Sequence, residues 1–157
     1  MPSEAEQIET IGLMAAHESV IADLYRAYAD QLAECRDFFL GLAADEVGHA
    51  RMIAGFADDV KAGKVQVDPG RFSSESVLSS LDFVRARVAE AKRGRISLLA
   101  ALSTSKDLED ALIERRYFEM LEEDGPELTQ LLSTLAEETE THRRKVAEAW
   151  EREQGES

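Results

Sequence analysis

Cysteine is nearly missing from this sequence: Cys35 is the only one in 157 residues. A lone thiol closes no internal disulfide, and a four-cysteine iron or zinc module is excluded anywhere in the chain. The count fits a reducing, cytoplasmic setting. Long apolar runs are missing too, since none approaches the ~20 residues that cross a bilayer. The opening Met1-Pro2-Ser3-Glu4-Ala5-Glu6 is acidic where a secretion signal would be basic. Positive charge is the third deficit, with 18 Lys and Arg against 32 Asp and Glu and a formal charge of −14. Such a surface repels phosphate backbones and anionic lipid, so neither nucleic acid nor membrane is an expected partner. Divalent cations are drawn to it.

Proline and glycine are scarce, at three and nine residues, and they fall where helices begin or end. Pro69-Gly70 lies in the polar stretch from Lys61 to Ser74. Gly125-Pro126 separates two helical runs, with Pro126 placed as a first helical residue. Between these breaks Ala, Leu, Glu and Arg dominate, all good helix formers. No period-two stretch long enough for a sheet is present. Helices are predicted from about Ser3 to Glu34, Asp37 to Lys61, Ser74 to Lys92, Ile96 to Glu123, and Pro126 to Glu153. Their apolar stripes include Ile11, Met14, Ile21, Tyr25 and Tyr28 on the first and Phe39, Leu42, Ile53 and Phe56 on the second. The third carries Leu78, Leu81, Val84 and Val88, and the last carries Leu128, Leu131, Leu132, Leu135, Val146 and Trp150. Four of the five are long enough for an all-α four-helix bundle roughly 35–45 Å tall. The stretch Lys61–Arg95, itself partly helical, then becomes one long crossover between the second and third bundle helices. A single domain over residues 1–157 follows from the length.

The informative residues interrupt those stripes. Glu18 follows Ile11 by seven residues and precedes Tyr25 by seven; Glu46 and His49 sit between Leu42 and Ile53; His142 lies between Leu135 and Val146. A carboxylate on an inward face must protonate or find a partner. Two carboxylates and two imidazoles converging on one axis satisfy one another well around a divalent cation. A buried Glu18–His49 hydrogen bond would satisfy both groups without one. His17, beside Glu18, points off the inward face and reads as a surface residue. Tyr25 reads either as a donor to a ligand carboxylate or as a core tyrosine. Cys35 reads as an inert junction residue, Glu122-Glu123-Asp124 as a solvated helix end, and Arg143, Arg144 and Lys145 as surface ion-pair partners.

The stretches His17-Glu18-Ser19-Val20-Ile21-Ala22-Asp23-Leu24-Tyr25 and Leu42-Ala43-Ala44-Asp45-Glu46-Val47-Gly48-His49 resemble the first two helices of the rubrerythrin-like branch of the ferritin-like superfamily. The octet Leu135-Ala136-Glu137-Glu138-Thr139-Glu140-Thr141-His142 echoes the second of them. The resemblance implies a ferritin-like bundle with a metal site built from one Glu on each of two helices and Glu-x-x-His on each of the other two. It departs twice: Thr139 stands where the last helix should carry Glu, and Ser105 stands where the third should. What remains is Glu18, Glu46, His49 and His142, a set that neutralises one divalent ion per chain, iron first, zinc or manganese otherwise. Glu109 and Glu138 are read as exposed or supporting groups rather than as replacements.

The resemblance implies peroxide or oxygen chemistry at a non-haem di-iron centre and a role in oxidative-stress or metal handling. The two departures lead to the expectation of a metal-binding protein with reduced redox activity, and a homodimer is the simplest assembly. Two other readings stand beside it. One is a metal-free dimeric interaction module in which Ser105 and Thr139 donate to Glu46 or Glu18. The other is a di-iron oxidase or peroxidase that uses Glu109 or Glu138 as surrogate ligands.

Overall fold

The computed structural model describes residues 3–67, 74–111, 121–123 and 126–156. Helix α1 (Glu4–Gln31) opens on a reciprocal cap: Ser3 Oγ accepts from the Glu6 N–H, and the Ser3 N–H donates to Glu6 Oε2, each at 3.1 Å. It ends where Leu32 leaves helical backbone, and a single 3₁₀ turn, Ala33–Cys35, leads into α2 (Arg36–Lys61). So short a connection turns α2 back along α1, and Tyr25 and Tyr28 both meet the Phe39 ring, at 6.2 and 5.4 Å between centroids. Gly63 stops α2 at φ +74, a left-handed position that costs glycine least; the Gly63 N–H donates to the Val60 carbonyl.

Strand β1 (Val65–Val67) follows, then α3 (Ser74–Lys92), α4 (Leu98–Asp110), strand β2 (Leu121–Glu123) and α5 (Pro126–Glu156). Ser97 caps α4 by accepting from the Ala100 N–H at 3.0 Å. Gly94, between α3 and α4, combines φ +82 with a close approach: a Cβ there would lie 3.4 Å from Gln31 Oε1.

Among the described residues the fold is helical apart from one short pair of strands. β1 and β2 pair antiparallel, Val65 with Glu123, Gln66 with Glu122 and Val67 with Leu121. This corrects the fourth helix, predicted to run on to Glu123, and the reading of Glu122-Glu123 as a helix end. Good helix formers there are overruled by pairing with Val65-Gln66-Val67, whose two valines are buried. Asp124 lies outside the described residues, as do the side chains of Leu128, Leu131 and Leu132.

Packing is densest between α1 and α2, between α1 and α3, and between α4 and α5. The last pair is antiparallel, because Trp150 Nε1 donates to Ser103 Oγ at 3.0 Å while His142 lies near Glu109. Helix α1 is covered by two neighbours and so buries residues around much of its circumference, among them Met14, Leu24, Tyr25 and Tyr28. α3 packs Val77, Leu81 and Val84 inward. Leu78, predicted on that inward stripe, is instead 47% exposed, with Phe83 at 44%. The rest of the predicted stripe holds, with Leu81 and Val84 buried and Val88 packed partly against the core; at its head Val77 replaces Leu78, where α3 lies against α1.

Candidate metal centre

Each helix brings its polar residue inward by the same device, a carboxylate or imidazole replacing one apolar residue of a buried stripe. Glu18 sits among Met14, Ile21 and Tyr25 on α1; Glu46 and His49 sit between Leu42 and Ile53 on α2; His142 sits between Leu135 and Val146 on α5. All four are buried, at 2% exposure or less. A fifth residue joins them. Glu109, on the α4 stripe Ala101–Ser105–Glu109, is 7% exposed and faces His142 Nδ1 at 3.7 Å.

The five side chains form two triads that share one carboxylate. Glu18, Glu46 and His49 make the first; Glu46, Glu109 and His142 make the second. Within each, one ligand atom per residue lies within 4.8 Å of the others. That spacing and the mixture of carboxylate oxygen and imidazole nitrogen could bind a metal ion.

Both imidazoles are braced from outside the cluster, and reciprocally. His49 Nε2 donates to Glu138 Oε2 on α5 at 2.9 Å, and His142 Nε2 donates to Asp45 Oδ2 on α2 at 2.8 Å. Each ring therefore turns Nδ1 toward the carboxylates. His142 Nδ1 is 3.0 Å from Glu46 Oε1, and His49 Nδ1 is 3.6 Å from Glu46 Oε2. Asp45 and Glu138 are half-exposed, so they join the buried rings to the surface. Tyr25 completes the shell by donating its hydroxyl to Glu109 Oε1 at 2.7 Å.

Electrostatics follow from this packing. Burial alone would raise the Glu46 carboxyl, but its contacts with Glu18, His142 and His49 outweigh that and hold it below the usual carboxylate range. Glu109 moves the other way: burial, aided by the Glu46 charge, raises it against the opposing pull of His142 and Tyr25. Burial would lower His142, yet Glu109 and Glu46 together lift it to about 11. His142 thus lies between carboxylates that favour its protonated form. Glu109 Oε2 still accepts no hydrogen bond among the described residues, although it is buried. A divalent cation suits such an oxygen.

Four readings made from the sequence change here. Glu109, set aside as an exposed or supporting group, lies inside the cluster. Ser105 is buried one turn earlier, with Oγ turned back to the Ala101 carbonyl at 2.8 Å; Thr139 does the same toward Leu135 at 2.9 Å. Neither hydroxyl donates to Glu46 or Glu18. His17 is not a surface residue: α3 covers it, Ser80 Oγ lies 2.7 Å from its Nε2, and burial lowers its pKa to about 4 against the raising effect of Glu46. Glu138 does support the site, through His49. The sequence did hold a signal for Asp45, since the matching octets align it with Glu138 as they align His49 with His142.

Comparison of the chain with protein-family models, with curated proteins and with solved structures finds no match.

Proposed function

We propose that this chain is a ferritin-like four-helix bundle, with α3 as its long crossover, that binds two divalent transition-metal ions in the triads sharing Glu46. The observation that carries the reading is the buried carboxylate of Glu109 beside Glu46 and His142. It adds a third carboxylate to a set that had seemed sufficient for one ion only. Iron is the first candidate, with zinc or manganese as alternatives. A pair of ferrous ions held there would supply electrons for the reduction of dioxygen or peroxide, in keeping with a role in oxidative-stress or metal handling in the cytoplasm.

The chain's own residues have separable tasks in this reading. Glu46 bridges the two triads. Glu18 and His49 complete one, Glu109 and His142 the other. Asp45 and Glu138 fix the tautomer and rotation of the imidazoles through Nε2, leaving Nδ1 for the ion. Tyr25 holds Glu109 Oε1, the oxygen nearest His142 Nδ1, and leaves Oε2 without a hydrogen bond among the described residues.

Elemental analysis of untagged protein, loaded anaerobically with ferrous iron and freed of excess, tests the stoichiometry. About two irons per chain are expected; one returns the site to Glu18, Glu46 and His49 alone, and none sinks the reading. A second reading has one observation in its favour. His142 already has a carboxylate on each ring nitrogen, Asp45 and Glu46, so part of the cluster closes without metal. A metal-free dimeric module built this way would keep its thermal midpoint in chelator. A metal-supported bundle would lose several degrees, because ligand that binds only the native state stabilises it.

A further inference from the structure

The two helices that contribute histidine to the cluster match at every polar position of the site but one. Asp45 corresponds to Glu138 and His49 to His142, and the structure repeats the correspondence as a pair of reciprocal Nε2–carboxylate hydrogen bonds. Glu46, the shared ligand, corresponds to Thr139. Thr139 lies on the buried stripe of α5, one turn before His142 and 5% exposed. Its hydroxyl is committed to the Leu135 carbonyl at 2.9 Å, along its own helix. What Thr139 lacks relative to glutamate is the terminal carboxyl group, a unit the size of formate.

We infer that the metal-loaded site takes a small exogenous carboxylate, of the formate or acetate class, in the position on α5 that Thr139 leaves without a carboxyl group. The inference rests on the two-ion reading. Glu18, Glu46 and Glu109 bring three negative charges to two divalent ions, and a histidine that ligates does so as the neutral ring. The cluster is then left with excess positive charge in a buried place, which is costly. Asp45 and Glu138 do not cancel it directly, because each is tied to a ring nitrogen at the rim, where water and salt screen it. Three side chains per triad also fall short of the four to six donors such ions favour. An anion with two oxygen donors answers both deficits, and one carrying little beyond its carboxyl group corresponds to the part of a glutamate side chain that Thr139 lacks.

The test uses the full chain loaded with Co²⁺, whose visible bands report its ligands. Sodium formate is titrated against sodium chloride at constant ionic strength, following the bands and the affinity of the second Co²⁺. Formate is expected to change the spectrum and to tighten the second ion about tenfold, a coupling of ordinary size. Thr139→Glu should hold the second Co²⁺ tightly without formate and show no response to it. Thr139→Val, an isostere that replaces the hydroxyl by a methyl group, should respond like the native chain. A native chain that takes two Co²⁺ and ignores formate overturns the inference, and so does an equal response in Thr139→Glu or a lost one in Thr139→Val. Fewer than two Co²⁺ bound in the native chain, with or without formate, overturns the two-ion reading and the inference with it.

Discussion

The α1–α2 half of the molecule and the α4–α5 half contribute unequally to one cluster. The first supplies a whole triad by itself: Glu18, Glu46 and His49 come from two consecutive helices joined by one short turn. The second supplies Glu109 and His142 and must borrow Glu46 from across the core. Thr139 stands where its own shared carboxylate would be. A triad contained in one helical hairpin is assembled as soon as that hairpin packs. A triad that spans both halves exists only once they are docked. Metal binding as proposed would therefore be coupled to tertiary structure at the second triad in a way that it would not be at the first.

The largest expected effect comes from the residue common to both halves. Glu46→Ala should remove both ions, taking the metal content from about two per chain to none, as read by elemental analysis of the reconstituted protein. Retention of either ion would show that the triads do not depend on a shared carboxylate.

Next come variants confined to one half. His49→Ala should abolish the first triad's ion and spare the second, while His142→Ala should do the reverse; Co²⁺ titrations would then reach one equivalent in each. Loss of both ions in His142→Ala would mean that the α1–α2 triad is not self-sufficient, and the contrast between the halves would fall.

Bracing residues should have smaller effects. Asp45→Asn and Glu138→Gln each weaken the hold on one imidazole and should reduce the affinity of the corresponding ion about 10- to 100-fold. The comparison is sharpened by their crossing: Asp45, on α2, should affect the triad of α5, and Glu138 that of α2. Competition with a metal-sensitive dye would show whether the effects cross.

The smallest change is Tyr25→Phe. It removes one hydrogen bond to Glu109, worth roughly 0.5–1.5 kcal/mol net, and so should weaken the second ion by up to about ten-fold. The first ion should keep its affinity in the same titration.

Much of the fold was legible in advance. Four of the helices follow their predicted spans closely because their ends carry local signals: the Ser3–Glu6 cap, the glycine after α2 and Pro126 at the head of α5. The inward placement of Glu18, Glu46, His49 and His142 could be read because a polar residue interrupting an apolar period of three to four is visible in one dimension. Glu109 was not legible in the same way. It too lies on a buried stripe, but choosing between it and Ser105 requires the axial register of α4 against α5. Periodicity fixes the face of a helix and leaves its height open. His17 and Leu78 were misjudged for a related reason. Whether a second face of α1 is buried, and which residue of α3 points inward, depends on α3 lying against α1.

The sequence by itself therefore determined the helical class, the identity of the inward polar residues on α1, α2 and α5, and a charge that favours cations. Those are properties of composition and of local period. Tertiary structure alone decided that the buried carboxylates and imidazoles fall into two triads around Glu46, that Glu109 belongs among them, and that Asp45 and Glu138 brace each other's histidines. Each of these depends on the relative height of helices far apart in the chain. That height is set by packing and side-chain pairing across the core, which no local pattern encodes.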